Sequence, residues 1–443
     1  MGSLSPRLDV VHHLTTAAKQ IGAMIPPETV IVAVQHLLAS NVALFAALIE
    51  LGLAPENAFV IGKGYSTSPA MADALAELGP TVFPNLSAIR PGHFGSSMDE
   101  GLGRLLNLVS TRFERRPINH LVVVDDGGRC LSLARTMAIN AKSIVGVEQT
   151  TSGIRRVTGS SLHFPVIDVA RSAAKLRYES PLIAEAVVRK LATTRAAPRA
   201  GMVAGVIGLG SIGSTLVDKL TDMGLRVIDY ELEEFRHLSH TGRAKSWNQI
   251  FSDADVVFGC TGVDLFSDGG LPVVYKSGMA LCSCSSEDIE FRGLLRCSKT
   301  LGSEVGWPAP DHEARGPSGP FSIIRGGYPV NFDSSDHSVP TEDIQLTTAL
   351  LLAAVILATQ LPPADPIDRD PFIQLPYSLQ ESILRDWLAI SPTARRTWPT
   401  NVRYAPLGSL TSHPRMQLVS DRVALFGAHL SEAMDRSGGV VLP

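Results

Sequence analysis

Apolar positions in the first half of the chain fall into two kinds of run. Val30–Gln35, Ala58–Gly62 and His120–Val124 are short, nearly continuous apolar segments that read as buried strands. Between them lie stretches with helical spacing. One runs from Asn41 to Leu51 and stops at Gly52; another starts at the N-cap Ser68, with Pro69 in its first turn, and stops at Gly79. Strand and helix in turn is the rhythm of a doubly wound α/β domain. The strand His120–Val124 runs directly into Asp125-Asp126-Gly127-Gly128, and the carboxyl ends of buried strands are where such folds place ligands.

The rhythm restarts after Ala192–Gly201, a small, basic, proline-containing segment with the character of a domain boundary. Met202–Ile207 is an apolar strand, Gly208-Leu209-Gly210-Ser211-Ile212-Gly213 follows at once, Ser211–Met223 has helical spacing up to Gly224, and Leu225–Ile228 is the next strand. Glycines so placed permit a tight turn, let backbone N–H groups approach a pyrophosphate, and bring helix and strand close. The phosphates would rest on the helix N-terminus. Glu231, 18 residues past Gly213, is where a carboxylate accepts ribose hydroxyls and repels a 2′-phosphate, so NAD is expected rather than NADP; Asp229 could share that role. A lone glycine match is often an ordinary turn, but here strand, glycines, helix, strand and acid stand in register. Asp255–Cys260 supplies another strand, ending in Thr261-Gly262.

Farther on, Pro308–Pro320 reads as a surface loop, and a long helical pattern follows Pro340. Its apolar run, Ala349–Thr359, falls short of the about 20 residues that span a bilayer and reads as a buried helix. Leu361–Asp370 marks a further loop before C-terminal helices. The expected architecture is α/β with two doubly wound domains. A Rossmann NAD-binding domain, residues 191–340, is inserted into a substrate-binding domain made of residues 1–190 and 341–443.

At 443 residues the chain is long for one hydrophobic core, which agrees with two domains. A formal net charge of −4 lacks the basic footprint of a nucleic-acid binder, so small molecules are the expected partners. The five cysteines, Cys130, Cys260, Cys282, Cys284 and Cys297, show no framework spacing, and Cys282-Ser-Cys284 is not a zinc pair. Reduced thiols, no metal and a cytoplasmic location are the expectation. The first 20 residues lack the basic start and apolar run of a signal peptide, and the MGSLSP start has Pro6 where a myristoylation pattern needs Ser or Thr. No membrane is expected.

Several motifs, in order, resemble the S-adenosylhomocysteine hydrolase family between about Val30 and Leu361. His120–Gly128 (HLVVVDDGG) is similar to the family's strand leading into Asp-Asp-Gly-Gly, and Glu148–Gly153 (EQTTSG) to its Glu-Glu-Thr-Thr-Thr-Gly. Pro165–Glu179 (PVIDVARSAAKLRYE) resembles the segment containing Ser-Val-Thr-Lys-Ser-Lys-Phe-Asp, and the Rossmann glycines follow at a matching distance. Tyr328-Pro329-Val330-Asn331, with His337 after it, looks like the family's Leu-Val-Asn near the nicotinamide. The resemblance implies an enzyme that uses bound NAD for transient oxidation of a nucleoside 3′-hydroxyl. The ketone acidifies the C4′ hydrogen, a base removes it, the 5′ substituent leaves, and the ketone is reduced again, with no net redox change.

Residue by residue, the resemblance puts Lys175 where the 3′-hydroxyl proton is taken, and Glu179, one helical turn on, where the family has Asp. Asp126 and His36 match the acid–base groups near the 5′ leaving group. Thr150, Thr151, Ser152, Thr261, Asn331 and His337 join Gly208, Gly210, Ser211, Ile212, Gly213 and Glu231 on the cofactor side; Gln149 and Ser286 fall on the substrate side. On residue types alone, Lys175 and Glu179 would be a surface i,i+4 ion pair, Asp126 a turn-capping carboxylate and His36 a structural histidine. Ser172-Ala-Ala-Lys175 also fits Ser-x-x-Lys, but the Ser-Asp-Asn and Lys-Thr-Gly elements of penicillin-recognising enzymes are absent.

The departures from the family concentrate at the substrate end. Gln149 replaces a ribose-binding Glu, Leu38 and Ser40 stand where the family offers Thr and an acidic or amide residue to adenine, and Ser286 replaces a histidine. The tail GAHLSEAMDRSGGVVLP lacks the family's Lys- and Tyr-containing segment that reaches a neighbouring subunit's NAD. The expectation is therefore a homo-oligomeric hydrolase or lyase acting on an adenosine-type nucleoside; a 5′-dehydratase that stops at the unsaturated sugar would use the same residues. The alternatives are the hydrolase proper, a net dehydrogenase, and an NAD-binding regulatory pseudoenzyme, which would have no physical need for Lys175 and Glu179.

Overall fold

The computed structural model describes residues 8–391 apart from 86–89, 137–138, 161, 233–241, 245, 268–273, 298–307 and 362–370, and beyond them residues 428–429 and 432–433. The MGSLSP start, nearly all of the 361–370 loop and most of the C-terminal tail lie outside the described residues. Among the described residues two sheets carry the fold, each with seven strands. The first contains β1 (Thr29–Gln35), β2 (Ala58–Gly62), β3 (Thr81–Phe83), β4 (His120–Asp125), β5 (Ile144–Glu148) and β6 (Val166–Asp168). The second contains β7 (Val203–Ile207), β8 (Arg226–Tyr230), β9 (Gly242–Arg243), β10 (Val256–Gly259), β11 (Ala280–Ser283), β12 (His312–Gly316) and β13 (Gly319–Ile323). The chain then returns to the first sheet, where β14 (Phe372–Gln374) pairs in parallel with β6.

The orders are β14-β6-β5-β4-β1-β2-β3 and β12-β13-β11-β10-β7-β8-β9. Among the described residues every strand pairing is parallel except that of β12 with β13. Each sheet is thus doubly wound, and the strand order reverses direction between β1 and β4 in one and between β7 and β10 in the other. Crevices for ligands open outside the carboxyl ends of strands at such switch points.

Burial explains the first sheet. All seven residues of β1 are buried, and the strand's two-residue period sends them to opposite faces. Ile31 and Ala33 enter the core formed with the helices Asp9–Gln20, Ala39–Glu50 and Thr341–Gln360. Val30, Val32 and Val34 pack against the helix Phe94–Arg112 on the other side. The helix Thr341–Gln360 is long and apolar enough to cross a membrane, yet every residue from Ala349 to Ala358 is buried in the first core, so the apolar run is a buried helix as its pattern indicates. The helix Ala173–Leu191 serves both sheets. Ala174, Tyr178 and Leu182 belong to the first core, whereas Ala184, Val187 and Leu191 belong to the core of the second sheet.

One reading of the sequence is corrected. Residues 308–320 are not a loop, because most of the segment forms the antiparallel hairpin β12–β13 at the edge of the second sheet. β12 is an edge strand rich in polar residues, so no apolar run announces it. Its turn is pinned by tertiary contacts: the Tyr275 hydroxyl donates to the Gly319 carbonyl at 2.6 Å, and Gly319 takes φ +123°.

Candidate functional site

The carboxyl edges of both sheets open onto one cavity of about 810 Å³. His36 follows β1 and Asp126 follows β4 at the first switch point; Gly208 follows β7 and Thr261 follows β10 at the second. Of the eighteen residues singled out from the sequence, all but Gly213 line this cavity.

Gly213 acts from behind. A Cβ there would lie 1.8 Å from the Gly208 carbonyl oxygen, so only glycine lets the helix Ser211–Asp222 close on the loop. Gly208 holds φ +92°, a conformation that favours glycine. Gly210 caps that helix with no side-chain hydrogen bond, and a Cβ on it would meet nothing within 4 Å among the described residues. A helix N-terminus with a backbone cradle beside it suits a pyrophosphate. The Glu231 carboxylate accepts from Leu209 N at 2.6 Å and from Leu232 N at 2.8 Å, which sets it at the rim of the loop. Asp229 is fully buried within β8 and does not line the cavity, so of the two acids Glu231 is the one in reach.

On the other strand of this switch point, buried Glu290 shapes the turn Thr261-Gly262. It accepts from the Thr261 hydroxyl at 2.9 Å, Gly262 N at 2.6 Å and the Ser285 hydroxyl at 2.6 Å. Asn331 is buried and donates to the Ser338 hydroxyl at 3.0 Å; His337 Nδ1 lies 3.1 Å from the Thr341 hydroxyl. The Thr150 hydroxyl is fully engaged locally. It accepts from Gly153 N at 3.0 Å, capping the helix Thr151–Val157, and donates to Glu148 at 2.6 Å. Ser152 and Ser286 meet across the cavity at 3.5 Å.

Lys175 and Glu179 are not a surface pair. Their side chains are 13% and 17% exposed, they meet at 2.5 Å, and Glu179 also accepts from the Thr347 hydroxyl at 2.6 Å. The cavity therefore receives an ion pair with both orientation and partial shelter.

The inner end of the cavity is built around Asp126. One of its oxygens accepts from the Lys63 ammonium; the other accepts from the Gln149 amide and lies 3.2 Å from His36 Nε2. Burial alone would push the Asp126 carboxyl up, but the Lys63 charge and then His36 hold it well below the usual carboxylate range. Burial lowers the His36 pKa against the pull of Asp126, which favours the neutral ring. Phe332 stacks on His36 with centroids 4.5 Å apart, and His36 Nδ1 meets the Ser66 hydroxyl. Asp125, by contrast, caps Leu131 N at 2.9 Å and stays out of the cavity.

Sequence reasoning missed Lys63, Gln35 and Glu287. Gln35 ends β1 and Lys63 follows β2, so both stand at the carboxyl ends of buried strands, a positional signal that was readable. Glu287 was not, because its partners are remote in sequence. It receives two hydrogen bonds of 2.8 Å from Arg129 and further contacts from Arg156 and Arg292, tying the two sheets' segments together behind Lys63. Burial opposes its charge, but the Arg129 hydrogen bonds and charge bring its carboxyl down to about 2.

No protein-family model matches the chain. An uncharacterized protein of Mycobacterium tuberculosis is 32% identical over 335 residues, which cover 74% of this chain and 64% of that protein. The chain thus spans a little under two thirds of that relative's length. An adenosylhomocysteinase of Sulfolobus acidocaldarius is 30% identical over 122 residues, 26% of this chain and 29% of that enzyme. Among solved structures, a D-isomer specific 2-hydroxyacid dehydrogenase from Lactobacillus delbrueckii, in its NAD-complexed form, covers 62% of this chain and 97% of its own at 13% identity and a TM-score of 0.30. An overlay that poor adds nothing to the fold, which rests on the chain's own strand order.

Proposed function

We propose that this chain is an NAD-dependent enzyme of the adenosylhomocysteinase type, acting on an adenosine-type nucleoside by transient 3′ oxidation and elimination of the 5′ substituent. The observation that carries the reading is the single cavity onto which a dinucleotide-type glycine loop, the Lys175–Glu179 pair and the Asp126–His36 pair all open. The partial likeness to adenosylhomocysteinase supports it. The loop Gly208–Gly213, Glu231 and the Thr261-Gly262 turn would hold NAD, which supplies a reversible two-electron oxidant when bound.

The protein's own groups do the rest. Lys175 passes a proton to Glu179, to which it is hydrogen-bonded, and the amine so formed takes the proton of the 3′-hydroxyl, while the Thr347 hydroxyl keeps Glu179 in place. Once C3′ is a ketone, the C4′ hydrogen is acidic, and the Asp126–His36 pair handles that proton and the one delivered to the leaving group. Phe332 stacks on the His36 ring and Tyr65 packs edge-on against it, which fixes the ring beside Asp126.

In deuterated solvent, the enzyme is expected to exchange the C4′ hydrogen of a nucleoside and to show transient absorbance of reduced cofactor. Turnover without either would remove the ketone mechanism and leave a scaffold used for other chemistry. Mass spectrometry of the products then tells a 5′-dehydratase from a hydrolase by whether water has been added. Glu231→Ala is expected to weaken NAD about 10- to 100-fold in a titration, the worth of a hydrogen bond to a charged group. Unchanged affinity would take Glu231 out of the site.

A further inference from the structure

We infer that Gln35 reads an oxygen on the 5′ side of the substrate, so that the cavity selects a nucleoside whose 5′ substituent bears a hydrogen-bond acceptor oxygen over one that has none there. The inference rests on the nucleoside reading given above and deepens it.

The argument follows a chain of fixed orientations. Asp126 is a buried carboxylate held charged by Lys63, and a carboxylate only accepts. Gln149 must therefore turn its Nε2 toward Asp126, since its carbonyl oxygen would face a negative charge there. That same Nε2 lies 3.5 Å from Gln35 Oε1, which makes the Gln35 oxygen the side that faces Gln149. The orientation of an amide is decided by such a network. What remains is Gln35 Nε2, a donor on a side chain 1% exposed, with no partner among the described residues. Gln35 borders the cavity, and a buried donor without a partner is destabilising until an acceptor arrives.

The position of that donor follows from the strand order. Along the carboxyl edge of the first sheet come Lys175 after β6, Gln149 after β5, Asp126 after β4, and then Gln35 at the end of β1. Gln35 thus lies beyond Asp126 from Lys175, on the side of C5′ when Lys175 serves C3′. A thioether sulfur is a weak acceptor, whereas a hydroxyl oxygen is a good one.

Binding of adenosine and of 5′-deoxyadenosine to the full chain with its NAD, measured by calorimetry, tests this. The parent chain is expected to prefer adenosine about tenfold or more, and Gln35→Leu to bring the two affinities within about threefold, chiefly by losing adenosine. A ratio near one in the parent chain overturns the inference whether or not the variant folds. So does a preference that survives in Gln35→Leu. In both cases nucleosides still bind and the functional reading stands. If neither nucleoside binds, the functional reading itself fails, and the role of Gln35 goes with it.

Discussion

Lys175→Ala is expected to fold, to keep its NAD, and to form NADH from a bound nucleoside about 10²–10⁴-fold more slowly than the parent chain, the usual loss for one acid–base group. The expectation comes from where the lysine is held. On an exposed helix face, an i,i+4 pair contributes only a few tenths of a kcal/mol and its loss would leave chemistry untouched. Here the ammonium is largely sheltered, and its partner Glu179 is itself fixed by Thr347 from a separate helix. Truncation opens space toward the cavity and should change stability little. Stopped-flow absorbance of the cofactor after nucleoside addition gives the rate. A near-normal rate with normal product release would return Lys175 to the status of a structural ion pair.

Asp126→Asn should fail at a later step and carry a second cost. Oxidation precedes elimination, so the variant is expected to reduce its bound cofactor with a nucleoside, yet exchange C4′ hydrogen and release eliminated product about 10²–10⁴-fold more slowly. It also strands the Lys63 ammonium, which is 2% exposed and has Asp126 as its ion-pair partner. Removing one member of a buried pair costs about 3–5 kcal/mol, while replacing both with neutral groups is often tolerated. Lys63→Met with Asp126→Asn should therefore recover much of the stability in chemical denaturation and none of the elimination. Recovered elimination in the double variant would remove Asp126 from the chemistry.

The pair also sets a pH window. Asp126 has its folded pKa depressed, so its contribution is present above the ordinary carboxylate range and is lost as pH falls through its folded value. Lys63 has its folded pKa raised, chiefly by Asp126 against the effect of burial. Its contribution is present below the ordinary lysine value and is lost as pH rises through the folded one. The pair's stabilisation should be flat between about pH 4 and 10, and flat in the double variant beyond those limits.

Much of this protein was legible in its sequence, for local reasons. Buried parallel strands must be continuous apolar runs, so β1, β2 and β7 announce themselves. Gly208 and Gly213 are dictated by backbone geometry within six residues, and Ser68 caps its helix through a hydrogen bond from Met71 N three residues on. Such features depend on neighbours in the chain, and the sequence states neighbours directly. Only the tertiary structure decided what depends on residues far apart. It put Glu231 and not Asp229 on the cavity wall, turned the polar edge segment at 308–320 into a hairpin, and made a sheltered pair of Lys175 and Glu179 beside the helix Thr341–Gln360. It also brought Lys63 to Asp126 across 63 residues and Arg129 to Glu287 across 158. A charge buried in the fold must find its counter-charge in space, and the linear order of residues does not say which strand ends will meet.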